Sequence, residues 1–475
     1  MYQPRRPEAT ALRQILVSFL ASTRDELAEK DMYLPRFVWR ELEAIIDCGV
    51  LDRGFVRVVC DACKHERNVG FSCKGRGVCS SCVGRKMAEL SQHLFDHVIP
   101  DVPLRQFVLT LPPPLRFLVA RDKRLLCAVR TIALRAIKCF VCRKARDAYP
   151  SKDFLPAGFC VVQRSGSALN LAPHLHAVLF DGAYRKDDAG HLHFVAAPAV
   201  SPAERLKLVT AIATRIERLL KRRHILDGDT FRDDATDSSD PLLQLSLEAM
   251  KVAASRKTNE QPDTRSNSST VHGFNLHCET RISVNDAAAR MRLFRYVLRP
   301  AIAKDRLHLQ DGVVTFTMKR VFADGTHVLK FTPAAFIRRI AMLVPAPRQH
   351  EITYVGLLAA NAKHRNDIVR VPTHRRKPTP KPESTAPDTE PASTPNAVVL
   401  PPSSRINWAD LLRKTFACDV SKCDQCGGHA RVIAVITEPD VIEKILTHRR
   451  AIRDGDPKSA RAPPVALPSF DAMPF

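Results

Sequence analysis

Between residues 60 and 82 the sequence reads CDACKHERNVGFSCKGRGVCSSC, and no other feature limits so strongly how this chain can fold. Two Cys-x-x-Cys pairs, Cys60 with Cys63 and Cys79 with Cys82, stand fifteen residues apart. That spacing lets two short loops each offer paired sulfurs to one tetrahedral ion. It predicts a zinc site on these four thiolates, with Cys73 or His65 as alternative donors. Such a site is structural, because four protein ligands leave no position for substrate. Cys423-x-x-Cys426-Gly-Gly is half of a second knuckle, with Cys418 and His429 as the nearest candidates for the missing donors. Cys139 and Cys142 lie in a helical pattern without a turn glycine and read as packed thiols, with no metal assigned.

Fourteen cysteines gathered this way point to thiolate ligation rather than disulfides, in a reducing, cytoplasmic compartment. No run approaches the ~18 apolar residues of a membrane span, and the opening MYQPRRPEATALRQILVSFLAS has no convincing signal-cleavage pattern. With 45% apolar residues in 475, the chain can build two or three domains with cores. Its formal net charge is +23, so the expected large partner is polyanionic, and nucleic acid fits best.

The pattern divides as follows: 1–47 helical; 48–98 zinc-binding; 99–372 catalytic, with a polar, mobile insertion at 227–271; 373–405 a Pro-, Ser- and Thr-rich linker; 406–475 a small module with a flexible tail. Three prolines end the strand in RQFVLTLPPP, and a long helical pattern follows from about Lys123 to Tyr149. GFCVVQRSG and NLAPHLHAVLF read as two strands of an antiparallel hairpin. NDAAARMRLFRYVLRP reads as a helix capped by Asn285 or Asp286 and closed by Pro300. A further hairpin is centred on Asp324-Gly325.

His174 and His176 are two residues apart on the predicted strand, so both imidazoles project from one face, a geometry that can grip one metal ion and equally fits two histidines on a half-exposed strand. On the predicted helix, Arg292 and Arg299 share a face with Tyr296. A phenol between guanidinium groups suits a phosphate, and Arg292, Arg295 and Arg299 are the candidate DNA contacts. The combination supports cleavage of a DNA strand by a tyrosine nucleophile, which stores the broken bond as a phosphotyrosine. Mg²⁺ or Mn²⁺ on the two histidines would withdraw electron density from the scissile phosphate. Two imidazoles fill only part of such an ion's shell, and Gln163 on the preceding strand is the candidate third donor.

VGFSCKGRGVCSSC, QRSGSALNLAPHLHAVLFDGAY, FRYVLRPAIAKDRL, LVPAPRQH with YVGLLAANAKHR, and WADLLRKTFACDVSKCDQCGG occur in an order that resembles transposases of the insertion sequence 91 family. These are rolling-circle enzymes of the His-hydrophobic-His endonuclease superfamily. The resemblance runs from about residue 10 to residue 450. It implies an α+β chain: an N-terminal helical and zinc-binding module, a catalytic domain with a central antiparallel sheet flanked by helices, and a small C-terminal knuckle-like module. It also implies cleavage of single-stranded DNA at the ends of a mobile element. His174 and His176 match the family's metal-binding pair, and Tyr296 matches the tyrosine of its RYxxRP motif. Arg292 stands where some members carry a second tyrosine, so a further strand transfer would need another subunit or a recycled nucleophile. Tyr354-Val355-Gly356 replaces a common Tyr-His-Gly, and CSSC replaces a common Cys-Pro-x-Cys. A plasmid replication or transfer initiator with the same chemistry, and a non-catalytic zinc-containing DNA-binding protein, are the alternative readings.

Overall fold

The computed structural model describes residues 10–75, 77–150, 153–225, 268–303, 306–318, 321–322, 324–370, 422–423 and 425–453. The expected linker, Cys418 and most of the expected insertion lie outside the described residues.

Helices α1 (Ala11–Glu29) and α2 (Arg36–Ile46) carry apolar stripes at helical spacing. Leu12, Ile15, Leu16 and Leu20 on the first and Val38, Leu42 and Ile45 on the second are buried. Strands β1 (Phe55–Cys60) and β2 (Glu66–Gly70) pair as a hairpin, followed by α3 (Ser80–His93). β3 (Leu104–Thr110) then runs into the prolines. These do more than end the strand: Pro113 and Pro114 form the first turn of α4 (Pro113–Arg121), where a missing N–H costs no bond. Asp122 caps α5 (Lys123–Ala148), its carboxylate accepting from the Arg124 N–H at 2.7 Å.

The middle of the chain supplies β4 (Phe154–Leu155), β5 (Ala157–Ser165), β6 (Leu171–Phe180), β7 (Gly182–Lys186), β8 (Leu192–Ala196) and α6 (Pro202–Arg222). β9 (Ser268–Val271), β10 (Phe274–His277) and β11 (Arg281–Ile282) precede α7 (Ala287–Leu298). Ser268–Val271 closes the stretch read from sequence as an insertion, and it is an edge strand. Next come β12 (Leu307–Gln310), β13 (Val313–Thr317), β14 (Val328–Phe331), α8 (Pro333–Ala341), β15 (Ile352–Gly356), α9 (Arg365–Ile368), β16 (Ala430–Ile436) and α10 (Pro439–Arg453). β13 and β14 pair across the Asp324-Gly325 turn.

The protein is α+β with a central antiparallel sheet. Seven strands form it, in the order β15-β5-β6-β3-β10-β9, with β11 also paired to β3. α5 and α6 cover one face: Leu175, Ala177 and Leu179 of β6 pack with Val129, Ile137 and Ile212. α7 covers the other, where Val178 and Phe180 share a core with Phe294 and Val297. Among the described residues no helix is long and apolar enough to cross a membrane.

Candidate functional site

Strand alternation sends His174 and His176 to the same face as Val178 and Phe180, the face that α7 covers. The two imidazole centroids lie 4.8 Å apart. Tyr296 of α7 stands edge-on to His176 with ring centroids 5.5 Å apart. Residues more than a hundred positions apart thus meet on the sheet.

Two contacts hold α7 there. Arg290, only 1% exposed, donates to the carbonyls of Pro100 at 2.8 Å and Val102 at 3.0 Å, and to Asp101 at 3.2 Å. Near the helix's other end, the Gln163 amide donates to the carbonyls of Tyr296 at 3.0 Å and Val297 at 2.9 Å. These bonds use the amide nitrogen of Gln163, while Oε1, the atom through which an amide would ligate a cation, is not engaged by them. Gln163 does stand opposite His174 across β5 and β6, but carbonyls in a helix's last turn lack intrahelical partners, and they take its N–H groups. Gln163 is a tie between strand and helix.

Each histidine has one nitrogen engaged. Nδ1 of His174 donates to the Ala172 carbonyl at 2.7 Å, which leaves Nε2 with its lone pair. Nδ1 of His176 lies 2.8 Å from the side-chain amide of Gln106, a buried residue on β3. Nε2 of His176 is buried and has no hydrogen-bond partner. An orphaned buried nitrogen is costly unless something binds it. If the Gln106 amide turns so that its oxygen accepts from Nδ1–H, Nε2 is free to ligate a cation. Burial, with the neighbouring His174 and Arg299 charges, pulls the pKa of His176 down to about 2. Burial also lowers that of His174. Both rings are therefore neutral near neutral pH, the form a divalent cation requires. Gln106 has no motif to announce it, and only a polar residue inside the apolar run RQFVLTL hints at its role.

The guanidinium of Arg299 lies 4.4 Å from the Tyr296 ring centre. Arg292 is exposed, while Arg295 is half-buried, its Nε without a partner. Tyr296 is 43% exposed and borders a cleft of about 740 Å³, lined also by Gln163, Ser165, Gly166, Arg299 and His350. The two histidines are not among the lining residues.

The cysteines fall into two groups among the described residues, and neither is the predicted set. Cys79 and Cys82 join Cys73 and also Cys48, a position sequence spacing did not suggest. Sγ separations are 3.6 Å for Cys48–Cys82, 3.4 Å for Cys73–Cys82 and 3.9 Å for Cys48–Cys79. Cys60 and Cys63 instead meet Cys423 and Cys426, with separations of 3.5 Å for Cys60–Cys426 and 3.6 Å for Cys63–Cys423. The β1–β2 hairpin explains the split. Phe55 pairs with Gly70 and Val59 with Glu66, so Cys60 and Cys63 sit at its tip and Cys73 beyond its base. At ~3.4 Å per residue the hairpin separates them by roughly 17 Å, too far for one ion. His65 belongs to neither group, and His429 faces Asp61 at 3.1 Å. Cys139 is exposed, while the buried Cys142 thiol donates to the Phe154 carbonyl at 3.5 Å.

Around tetrahedral zinc, Zn–S bonds of ~2.3 Å put the sulfurs ~3.8 Å apart, close to these separations. Backbone N–H groups also reach the sulfurs: Cys73 N–H to Cys48 and Gly75 N–H to Cys73, both at 3.4 Å. The Cys48, Cys73, Cys79 and Cys82 set fits a closed structural zinc site.

Two family models match. One, described as "Putative transposase", covers residues 158–366 and so takes in Gln163, His174, His176 and Tyr296. The other, described as "Transposase zinc-binding domain", covers residues 19–111 and takes in all four cysteines of that set. No curated protein and no solved structure matches the chain.

Proposed function

The chain belongs to the insertion sequence 91 family of transposases, and we propose that this DNA-processing enzyme nicks single-stranded DNA at element ends with Tyr296 as nucleophile. The observation that carries the reading is the edge-on contact of Tyr296 with His176, whose Nε2 is buried without a partner. His174 and His176 are the residues that would hold Mg²⁺ or Mn²⁺, each having Nε2 unengaged by hydrogen bonds. When bound, the cation supplies Lewis acidity and offsets negative charge on the scissile phosphate.

The remaining work falls to the chain's own groups. A single strand lies along the cleft beside Tyr296, with Arg299 placing positive charge next to the phenol. The Tyr296 oxygen bonds to phosphorus while the phosphorus–oxygen bond to the leaving deoxyribose breaks. The leaving oxygen takes up a proton, the phenol gives one to solvent, and the phosphotyrosine conserves the bond for strand transfer. Arg290 and Gln163 keep the helix, and hence the phenol, in register with the histidines. Because Arg292 replaces a second tyrosine, a further transfer uses another subunit or a recycled Tyr296.

The test is incubation with labelled single-stranded DNA carrying an element end, with and without Mn²⁺. A denaturation-resistant adduct is expected only with the cation, and only from protein that retains Tyr296. An adduct of equal yield from Tyr296→Phe would remove this residue from the chemistry.

A further inference from the structure

We propose that Cys60, Cys63, Cys423 and Cys426 bind a second structural zinc ion, which fastens residues 422–453 to the β1–β2 hairpin and makes one module of two distant segments. The paired sulfurs come from positions 360 and 366 residues apart, yet all four lie within 4.8 Å of one another. Their 3.5 and 3.6 Å separations are far beyond the ~2.05 Å of a disulfide and close to those of sulfurs sharing one tetrahedral ion. Cys423 and Cys426 fall outside both ranges matched by family models.

The backbone around the cluster is shaped for this. The Gly428 N–H approaches Cys426 Sγ at 3.4 Å, and the Gly427 N–H donates to the Cys423 carbonyl at 2.9 Å. Gly427 has φ of +71°, which glycine adopts without strain. A Cβ on Gly428 would lie 2.8 Å from that of Ala62 and 3.2 Å from the sulfurs of both Cys426 and Cys60. Gly428 is thus pressed against both halves of the cluster at once.

The pairing continues into the sheet. β16 runs antiparallel to β1, from Cys60 opposite Ala430 to Phe55 opposite Ile436. The Asp61 N–H donates to the His429 carbonyl at 2.8 Å, and the Asp61 carboxylate accepts from Arg431 at 2.7 Å. Beneath lies a small core of Phe55, Ala434, Ile436, Ile442 and Leu446. Neither segment owns that core, and one so small needs a metal to hold it. Sequence reading treats the Cys423 knuckle as part of a separate module; here Cys60 and Cys63 complete it.

Metal analysis of the purified full chain tests this. Two zinc ions per chain are expected, falling to one in Cys423→Ser/Cys426→Ser and staying at two in Cys139→Ser/Cys142→Ser. In addition, a protease site inserted between residues 385 and 395 allows the chain to be cut with every cysteine in place. The fragment beyond the cut should co-elute with the remainder, and a strong chelator should release it. One zinc per wild-type chain, two in the Cys423→Ser/Cys426→Ser variant, or separation of the cut fragment with zinc present would overturn the proposal. Neither readout involves DNA, so the result is independent of the nuclease reading.

Discussion

Replacing Gln163 by leucine separates two roles open to one amide. In the structure its N–H groups serve the carbonyls of Tyr296 and Val297, and leucine keeps a similar bulk while removing both bonds. Each is worth a net ~0.5–1.5 kcal/mol. One bond is exposed and the other partly buried, so water can reach the freed carbonyls, and the expected cost is about 2 kcal/mol of local stability. By the tenfold-per-1.4 kcal/mol relation, that is about 30-fold faster hydrogen exchange at the amides of the last turn of α7. Since this turn carries the phenol, adduct formation should slow by ~10–100-fold, the scale of an ångström misplacement. Manganese affinity, measured by calorimetry, should be unchanged, because His174 and His176 are untouched. A tenfold loss of manganese affinity with normal exchange would show that Gln163 is a ligand after all, and would refute the argument from helix carbonyls.

Two other expectations follow from the same geometry. Gln106→Leu removes the group that orients His176 and should weaken manganese binding by ~10–100-fold, while the zinc content stays at the wild-type level; unchanged manganese affinity would leave Gln106 a purely structural residue. The folded-state pKa of His176, about 2, lies below the ~6.5 of an unfolded histidine. The stability gained from keeping this ring neutral is therefore full above pH 6.5 and lost as pH falls toward 2, because the unfolded chain takes the proton first. Denaturation of metal-free protein should show a stability that declines between pH 6.5 and 4, and His176→Gln should flatten that slope by about one proton.

Local signals in the sequence were readable wherever a single element determined the outcome. The alternation around His174 and His176, the Asp286 cap and the Asp324-Gly325 turn each depend on neighbours within a few residues, and the structure bears these elements out. Strand pairing was legible only for the two hairpins, whose strands are adjacent in sequence. The cysteines show the limit. Spacing reported that Cys60 and Cys63 form half a site, but their partners depend on β16 lying alongside β1, with Ala430 opposite Cys60 at the hairpin tip. Cys48 follows a helix without a second cysteine nearby to flag it. From sequence, Gln163 stands out only by its place on the strand before the histidines; neither its register opposite His174 nor the helix end that takes its amide N–H groups is visible there.

The register of β16 against β1 bears on how the chain is made. β1 precedes every other described strand in the sequence, and its outer edge stays open until residues near 430 have been synthesised. A polypeptide halted before then carries an open strand edge and two cysteines lacking their partners, features by which unfinished chains aggregate or are degraded. Completion of the first module thus waits until the transposase segment between its halves, residues 158–366, has been translated.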